Sequence, residues 1–344
     1  MSNKPPIEVP QGAIRLNTDS QKLEFFAQDR WYEMATEQAS GLGTRGFRIS
    51  GASPVSTNDI IETVNIATLG NAHDTGFDLS TARGAFGCSA SRTRAVICGG
   101  NYPGTPGSND IQYFEMTSLS NSIDFGDLTY NAAEAGAHSN NVRLVVTGAA
   151  SHESNVINFL TVASTGSAQD FGDQANKLSS VTACGSPTRA LFAGGAIPSV
   201  VNIIEFVTLG STGNSIDFGD LTVARYSASG GSNNTRGLFI MGNSGAPVYA
   251  VNTIDYVTIA STGNAQDFGD SNITHEEGAR QGSGVCASPN RIIFFGGYHR
   301  GGTDRTTEIE YVNPVTRGDS TSFGDLSLAQ NSDGNGLSSS HGGL

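Results

Sequence analysis

The residues of this chain that most resemble a catalytic or metal-binding motif are aspartate pairs that flank a Phe-Gly dipeptide. Four copies are Asp-Phe-Gly-Asp, at residues 124–127, 170–173, 217–220 and 267–270, and a fifth is Ser-Phe-Gly-Asp at 322–325. The aspartate of Asp-Phe-Gly binds magnesium in protein kinases, but the sequence has no glycine-rich phosphate loop, partner lysine or His-Arg-Asp phrase to accompany it. The spacing of a calcium loop is also missing. We therefore predict that these aspartates cap the backbone amides of turns.

The other candidate catalytic and metal-binding residues are scattered along the sequence. The histidines occupy unrelated positions and form no metal triad or catalytic dyad: His73, His138, His152, His275, His299 and His341. The cysteines form no Cys-x-x-Cys pair and are predicted to be buried free thiols: Cys88, Cys98, Cys184 and Cys286. We predict no catalytic residue, no metal and no cofactor, and therefore a protein that is not an enzyme.

The Phe-Gly-Asp phrase belongs to a larger repeat. Its glycines stand at 126, 172, 219, 269 and 324, so successive copies are 46, 47, 50 and 55 residues apart by subtraction, and a degenerate copy at 74–79 begins the series. A period near 50 residues is typical of the blades of a β-propeller. The 44 glycines among 344 residues also favour an all-β protein that is rich in turns.

Each repeat contains four segments with the character of short strands. Small residues come first and suit an innermost strand, where blades converge. An apolar run follows, then an alternating segment, and the Phe-Gly-Asp phrase is predicted to form a turn and a short outer strand. An arginine opens each apolar run and could line an anion-binding funnel, but we favour ion pairs or stacking within the ring. These arginines are Arg45, Arg94, Arg143, Arg189, Arg236 and Arg291.

This order of strands resembles the kelch β-propeller over residues 41–326. The resemblance implies architecture and says little about activity, because one fold carries many functions. The blade-packing tryptophan of the kelch motif is missing, since Trp31 is the only tryptophan of the chain. We expect the repeat phenylalanines to pack between the blades in its place: Phe125, Phe171, Phe218, Phe268 and Phe323.

Two closures of the ring are compatible with the ends of the sequence. Residues 12–36 contain three strand-like segments, and residues 327–337 match the small first strand of a repeat. Together they predict a composite seventh blade, within a single propeller domain that spans residues 12–344 after an extension at 1–11. The alternative is a ring of six blades, with the N-terminal strands as a separate docking tag.

Charge and hydropathy argue against two classes of partner. A net charge of −13 disfavours nucleic acid, whose phosphates require basic surface. No run of 18 apolar residues predicts membrane insertion, and residues 1–11 have no apolar stretch for a signal peptide. We expect a protein that is made and folded in a cytoplasm.

The segments that follow the apolar strands differ in length and content between repeats. In repeat proteins such variation collects on one face, which is often the binding face. Aromatic and arginine side chains concentrate interface energy, and they identify the predicted contact residues. These are Tyr102, Tyr249, Tyr298, His299 and Arg300. The alternative is that these segments are tolerated insertions without a binding role.

Two parts of the sequence resemble structural proteins of tailed bacteriophages. The repeats at 202–221 and 252–270 are similar to those of marine phages, cyanophages in particular, and residues 12–31 are similar to segments of tail fibres. The resemblance implies a virion component, tail-associated or on the capsid surface, that is assembled in the host cytoplasm in multiple copies. Its partners would be other virion proteins, or a glycan or protein of the host surface. A lectin-like receptor-binding module and, less favoured, a hydrolase are the alternatives.

Overall fold

The computed structural model describes residues 10–17, 22–28, 30–33, 45–52, 57–102, 105, 107–148, 154–246, 250–272, 283–297, 306–330 and 335–344. The chain divides into two compact units, Met1–Gly41 and Leu42–Leu344. All regular secondary structure of the described residues is β-strand, which confirms the predicted all-β class. No helix in this part of the chain is long and apolar enough to cross a membrane.

The first unit contains an antiparallel sheet in the order β1-β2-β3. Its strands are β1 (Ile14–Asn17), β2 (Lys22–Ala27) and β3 (Arg30–Glu33). Arg15 connects all three strands, because its Nε donates to Glu24 at 2.8 Å while its guanidinium lies 4.1 Å from the centre of the Trp31 ring. Trp31 also contacts Phe26 edge to face, with 5.3 Å between the ring centres.

The second unit is a β-propeller of six blades, each a four-stranded antiparallel sheet. Blade 1 contains β4 (Arg45–Ala52), β5 (Thr57–Asn65), β6 (His73–Asp78) and, as its innermost strand, β29 (Asn335–Ser338). Blade 2 contains β7 (Gly87–Ala90), β8 (Arg94–Cys98), β9 (Ser108–Glu115) and β10 (Ile123–Ala132). Blade 3 contains β11 (Gly136–Ser139), β12 (Arg143–Thr147), β13 (Val156–Thr161) and β14 (Gln169–Asp173).

The last three blades follow the same order from the inside of the ring outwards. Blade 4 contains β15 (Thr182–Gly185), β16 (Arg189–Ala193), β19 (Ile203–Thr208) and β20 (Ile216–Asp220), with a small hairpin of β17 (Ala196–Ile197) and β18 (Ser199–Val200) after β16. Blade 5 contains β21 (Ser229–Ser232), β22 (Arg236–Ile240), β23 (Thr253–Thr258) and β24 (Gln266–Asp270). Blade 6 contains β25 (Gly284–Ala287), β26 (Ile292–Phe295), β27 (Thr306–Val312) and β28 (Thr321–Gln330).

The ring closes with six blades, so the predicted seventh blade is wrong and the six-blade alternative is correct. The C-terminal strand β29 pairs with β4, where Leu337 lies opposite Phe47, and it therefore completes blade 1. Its position requires small residues, because a side chain at Gly336 would meet the carbonyl oxygen of Val285 at 2.6 Å. The strand predicted within 327–337 begins only at 335, since β28 continues to residue 330 as the outer strand of blade 6.

The antiparallel order of the strands gives the ring two different faces. The connections from second to third strands and the crossovers from each outer strand to the next inner strand lie on one side, which we call the loop face. The turns from first to second and from third to fourth strands lie on the other side, which we call the turn face. The strand ends that border the variable segments of the sequence therefore lie on the loop face.

The hydrophobic core is divided among the junctions between blades. At the junction of blades 1 and 2, Phe114 contacts both Phe47 and Phe77 edge to face, with ring centres 5.5 and 5.4 Å apart. All three side chains are buried, and burial of such a side chain contributes about 1.5–3 kcal/mol. Each of the six buried clusters found among the described residues combines side chains of two neighbouring blades.

Candidate functional site

The Asp-Phe-Gly-Asp phrase lies within the outer strand of a blade, so the predicted outer strand is confirmed and the predicted turn is wrong. In blade 3 the pairing of β13 with β14 shifts register between Ile157 and Asn158, so the phrase contains a β-bulge. Gly172 has a φ of +148°, and a Cβ there would overlap the backbone of Gly213 in the next blade. Glycine therefore serves both the bulge and the close approach of two blades.

Each bulge binds the turn between the third and fourth strands of the next blade. Gly213 donates its N–H to the carbonyl of Phe171 at 2.7 Å, and Ser215 donates to the carbonyl of Asp173 at 2.9 Å. Asn214 Oδ1 accepts the N–H of Asp173 at 3.0 Å. The same bonds connect the other blades and return to blade 1. The donors to the carbonyls of Phe125, Phe218, Phe268 and Phe323 are Gly166, Gly263, Gly318 and Gly70, and Ser122 donates to Asp78 at the degenerate copy.

The repeated arginines form a second set of bonds between blades. Arg143 lies 4.6 Å above the ring of Phe159, which meets Phe171 edge to face at 5.8 Å, and its Nη1 donates to the carbonyl of Leu209 at 2.7 Å. Its guanidinium thus stacks within blade 3 and bonds to blade 4. The other pairs of arginine donor and carbonyl acceptor are Arg45 with Met116, Arg94 with Val162, Arg189 with Ile259, Arg236 with Pro314 and Val315, and Arg291 with Ile66.

The phenylalanines of the phrase are buried beneath these arginines. Phe218 is 2 % exposed and meets Phe206 edge to face at 5.8 Å, while Arg189 lies 4.7 Å above Phe206. The arrangement of arginine, third-strand aromatic ring and phrase phenylalanine recurs in blades 2 to 6. The third-strand aromatic residues are Tyr113, Phe159, Phe206, Tyr256 and Tyr311, and they meet Phe125, Phe171, Phe218, Phe268 and Phe323.

A third set of bonds was not foreseen from the sequence. A buried acid or amide occupies the same position of each third strand: Glu62, Gln112, Asn158, Glu205, Asp255 and Glu310. Asp255 accepts the N–H of Thr222 at 2.9 Å, just where the chain crosses from blade 4 to blade 5. Asp255 also pairs with Arg225 at 2.7 Å, and both side chains are fully buried. Burial lowers the pKa of Arg225, and the Asp255 carboxylate opposes that shift. A polar residue at one fixed place in all six alternating segments was the available signal.

An axial cavity of about 230 Å³ is lined by the inner strands. Its middle section has small side chains, including Ala137, Ala183 and Val285, together with Gly230. Glu134 and Tyr226 lie at its mouth on the loop face, in the crossovers that precede β11 and β21. Residues from all six inner strands line this cavity on the axis of the ring, and we treat it as the candidate site.

The turn-face end of the cavity is closed by residues 339–344. His341 Nε2 bonds to the carbonyl of Ala90 at 2.7 Å, and its ring contacts that of His138 with 5.4 Å between centres. His138 Nε2 lies 3.2 Å from the carbonyl of Ser186, and His341 Nδ1 accepts the N–H of Gly343 at 3.1 Å. Burial, together with the neighbouring ring, lowers the pKa of His138 to about 3, and burial lowers that of His341 to about 4. Both imidazoles are therefore neutral at pH 7.

The structure places one of the predicted contact residues. Tyr102 lies on the loop face and is half-buried, because its hydroxyl donates to Asp110 at 2.9 Å and its ring lies 4.9 Å from the guanidinium of Arg83. Tyr102 is thus part of a polar network within blade 2. The others lie outside the described residues: Tyr249, Tyr298, His299 and Arg300.

Among the residues that the structure describes, no group of three His, Cys, Asp or Glu side chains could hold a metal ion. The four cysteines are free and buried. No protein-family model and no curated protein matches this chain. The ring, its loop face and the axial cavity are therefore the features from which we infer a function.

Proposed function

We propose that this protein is a non-enzymatic scaffold of a bacteriophage virion, which binds a neighbouring protein through the loop face of its propeller. The observation that carries the proposal is the bonding of every blade to the next by bulge and by arginine, to which a buried acid or amide adds a bond at junctions such as that of blades 4 and 5. Such a ring holds the strands that carry the loops in a fixed arrangement, which lowers the entropic cost of binding. The similarity of the sequence to phage structural proteins supports the location in a virion.

The loop face combines constant and variable parts. Its crossovers are paired with the start of the variable connections, as Gly84 with Asn101, Ser179 with Ala196, and Tyr226 with Asn243. The variable connections themselves differ, since blade 4 has the β17–β18 hairpin where blade 2 has a Tyr102–Thr105 bridge. Variable loops on a rigid frame are the usual design of a binding surface. The partners we propose are other virion proteins or a molecule of the host surface. We also propose that each particle carries several copies of this protein.

A pair of variants tests the proposal. Tyr249→Ser, Tyr298→Ser and Arg300→Ser together change the loop-face segments, and Val142→Ser with Val315→Ser changes two exposed residues of the turn face. We expect both proteins to keep their thermal stability, because surface substitutions usually stay within about 0.5 kcal/mol each. Only the loop-face variant should be missing from purified particles by quantitative mass spectrometry. Normal incorporation of that variant, or loss of the turn-face variant alone, would move the binding surface to the other side of the ring.

A further inference from the structure

The axial cavity is closed at one end and has a charged residue at the other. Residues 339–344 occupy the turn-face end, where His341 bonds to Ala90, so the route that remains runs through the loop face. Glu134 is exposed at that mouth. The cavity is therefore a well with a carboxylate at its rim.

The position of Glu134 is fixed by its neighbours on both sides. Its backbone N–H donates to the carbonyl of Ala85 in the preceding crossover at 2.5 Å, and its carboxylate accepts a hydrogen bond from Ser180 Oγ in the following one. Ala85, Glu134, Ser180 and Ser227 occupy equivalent places with φ between 50° and 55°. Glu134 is the charged member of this set, and the Ser180 bond orients its carboxylate across the mouth.

The lining of the well combines small apolar side chains with hydroxyl groups. Ala137, Ala183 and Val285 line the walls with methyl groups. The hydroxyls at the turn-face end of the lining have partners within the protein, since Ser232 donates to the carbonyl of Gly185 at 2.7 Å and Ser338 to that of Ala287 at 2.6 Å. An apolar group that enters would release water without breaking these bonds.

No lysine or arginine is among the described residues that line this well. His138 and His341 are neutral at pH 7, so Glu134 is the only charged side chain among the described residues that line the well. A phosphate or carboxylate would therefore be repelled. A cation at the mouth meets the Glu134 carboxylate. It also meets the half-exposed ring of Tyr226, whose face attracts cations. A metal ion would need several oxygen ligands where one carboxylate is available.

We propose that the axial well binds an aliphatic primary ammonium group, with the alkyl chain between Ala137, Ala183 and Val285 and the ammonium on Glu134. Such a group is offered by a free small amine or by the amino terminus of a peptide whose first side chain is apolar. If the ammonium group is the amino terminus of a peptide, the partner's N-terminal segment would dock at the centre of the loop face. This would specify how the proposed scaffold binds its partner. The proposal rests on that function only in this second case.

Matched small molecules provide the test. n-Butylammonium, 1-butanol and butyrate share one alkyl chain and differ in charge, and their binding to the full-length protein can be followed by methyl NMR shifts of Ala137 and Ala183. We expect saturable binding of n-butylammonium at millimolar concentration, at least fivefold weaker binding of 1-butanol, and none of butyrate. Equal binding of the amine and the alcohol, or no binding of the amine, would overturn the proposal.

Two variants distinguish binding of the amine in the well from nonspecific attraction of the amine to an acidic protein. Glu134→Gln should weaken n-butylammonium about fivefold or more, while Asp217→Asn, which removes an equal charge from an exposed outer strand, should have no effect. Equal affinities of these variants would also overturn the proposal. Ala183→Leu should fill the well and abolish binding, with its fold checked by circular dichroism.

Two peptides then distinguish the sources of the amine. Leu-Gly-Gly with a free amino terminus should bind and its N-acetylated form should not if a peptide terminus is accommodated. Binding of n-butylammonium without the free peptide would assign the well to small amines. The particle experiment and the amine experiments change different residues and measure different properties, so failure of particle incorporation and failure of amine binding are independent results.

Discussion

Arg291 Nη1 lies 2.8 Å from the carbonyl oxygen of Ile66, and this bond joins the last blade to the first. The same guanidinium lies 4.6 Å from the centre of the Tyr311 ring within its own blade. The junction that closes the ring is therefore built like the internal ones, although its two sides are far apart in sequence.

Arg291→Met is expected to destabilise the protein by about 1–3 kcal/mol, because it removes a hydrogen bond from a charged donor and a cation–π contact. Arg291→Lys should recover only part of this loss, since an ammonium lacks the planar stacking surface. Arg317→Met, at an exposed position of the third-to-fourth strand turn of the same blade, is the control. Equal urea midpoints for Arg291→Met and Arg317→Met would show that the junction does not depend on this residue.

Phe218→Ala is expected to cost on the order of 3–5 kcal/mol, as other large-to-small changes at buried aromatic positions do. Ile216 lies two residues earlier on the same strand and is 62 % exposed, so Ile216→Ala should have little effect. Chemical denaturation of the two variants measures the difference. A neutral Phe218→Ala would indicate that the phenylalanine does not contribute to packing between blades.

Gly172→Ala and Gly166→Ala separate backbone strain from crowding between blades. Both glycines have nearly the same φ, +148° and +149°, but only a Cβ at Gly172 would overlap the next blade. We expect Gly172→Ala to destabilise the protein by roughly 1–3 kcal/mol more than Gly166→Ala, as overpacking does. Similar melting temperatures would mean that φ alone accounts for the cost.

Removal of residues 335–344 should prevent cooperative folding of the ring, because β4 would lose its inner partner and leave strand amides unpaired. Removal of residues 339–344 alone keeps β29, and should leave a folded propeller whose axial channel is open at the turn face. Circular dichroism melts of the two truncated proteins test this. An unchanged, cooperative transition after the larger deletion would place the closure elsewhere.

Stability should fall as the pH drops below about 6.5. His138 and His341 have folded-state pKa values lowered from 6.5 to about 3 and about 4. Between these values and pH 6.5 the unfolded chain is protonated at both histidines and the folded chain is not. Their contribution is present above pH 6.5 and is lost towards pH 4, at about 1.4 kcal/mol per pH unit for each histidine. The difference in unfolding free energy between wild type and His341→Gln should shrink over this range. His73→Gln, at an exposed position of β6, should keep the wild-type pH profile.

The sequence predicted the repeat, the order of the four strands and the all-β class because each repeat carries the same local pattern. It could not predict which strand completes blade 1. The segments at 12–36 and at 335–338 both have strand character, and only the pairing of Leu337 with Phe47 decides between them.

The candidate site was less accessible to sequence analysis. Gly172 in Asp-Phe-Gly-Asp suggested a turn because glycine favours both turns and bulges, and only the register shift in the pairing of β13 with β14 distinguishes them. Glu134 gave no signal at all. Its equivalents in neighbouring repeats are Ala85, Ser180 and Ser227, and the mouth they form exists only once the crossovers meet around the axis.

The bulged outer strands also affect whether molecules of this protein pair their strands with one another at high concentration. Each is the edge strand of its sheet, and the exposed side chains of Asp124, Asp170, Asp217 and Asp267 place a negative charge on four of these edges. Edge strands with bulges and charges are poor templates for strand addition by another chain. The protein can therefore be stored at high local concentration without forming intermolecular sheets, and its neighbours must approach through side chains and loops.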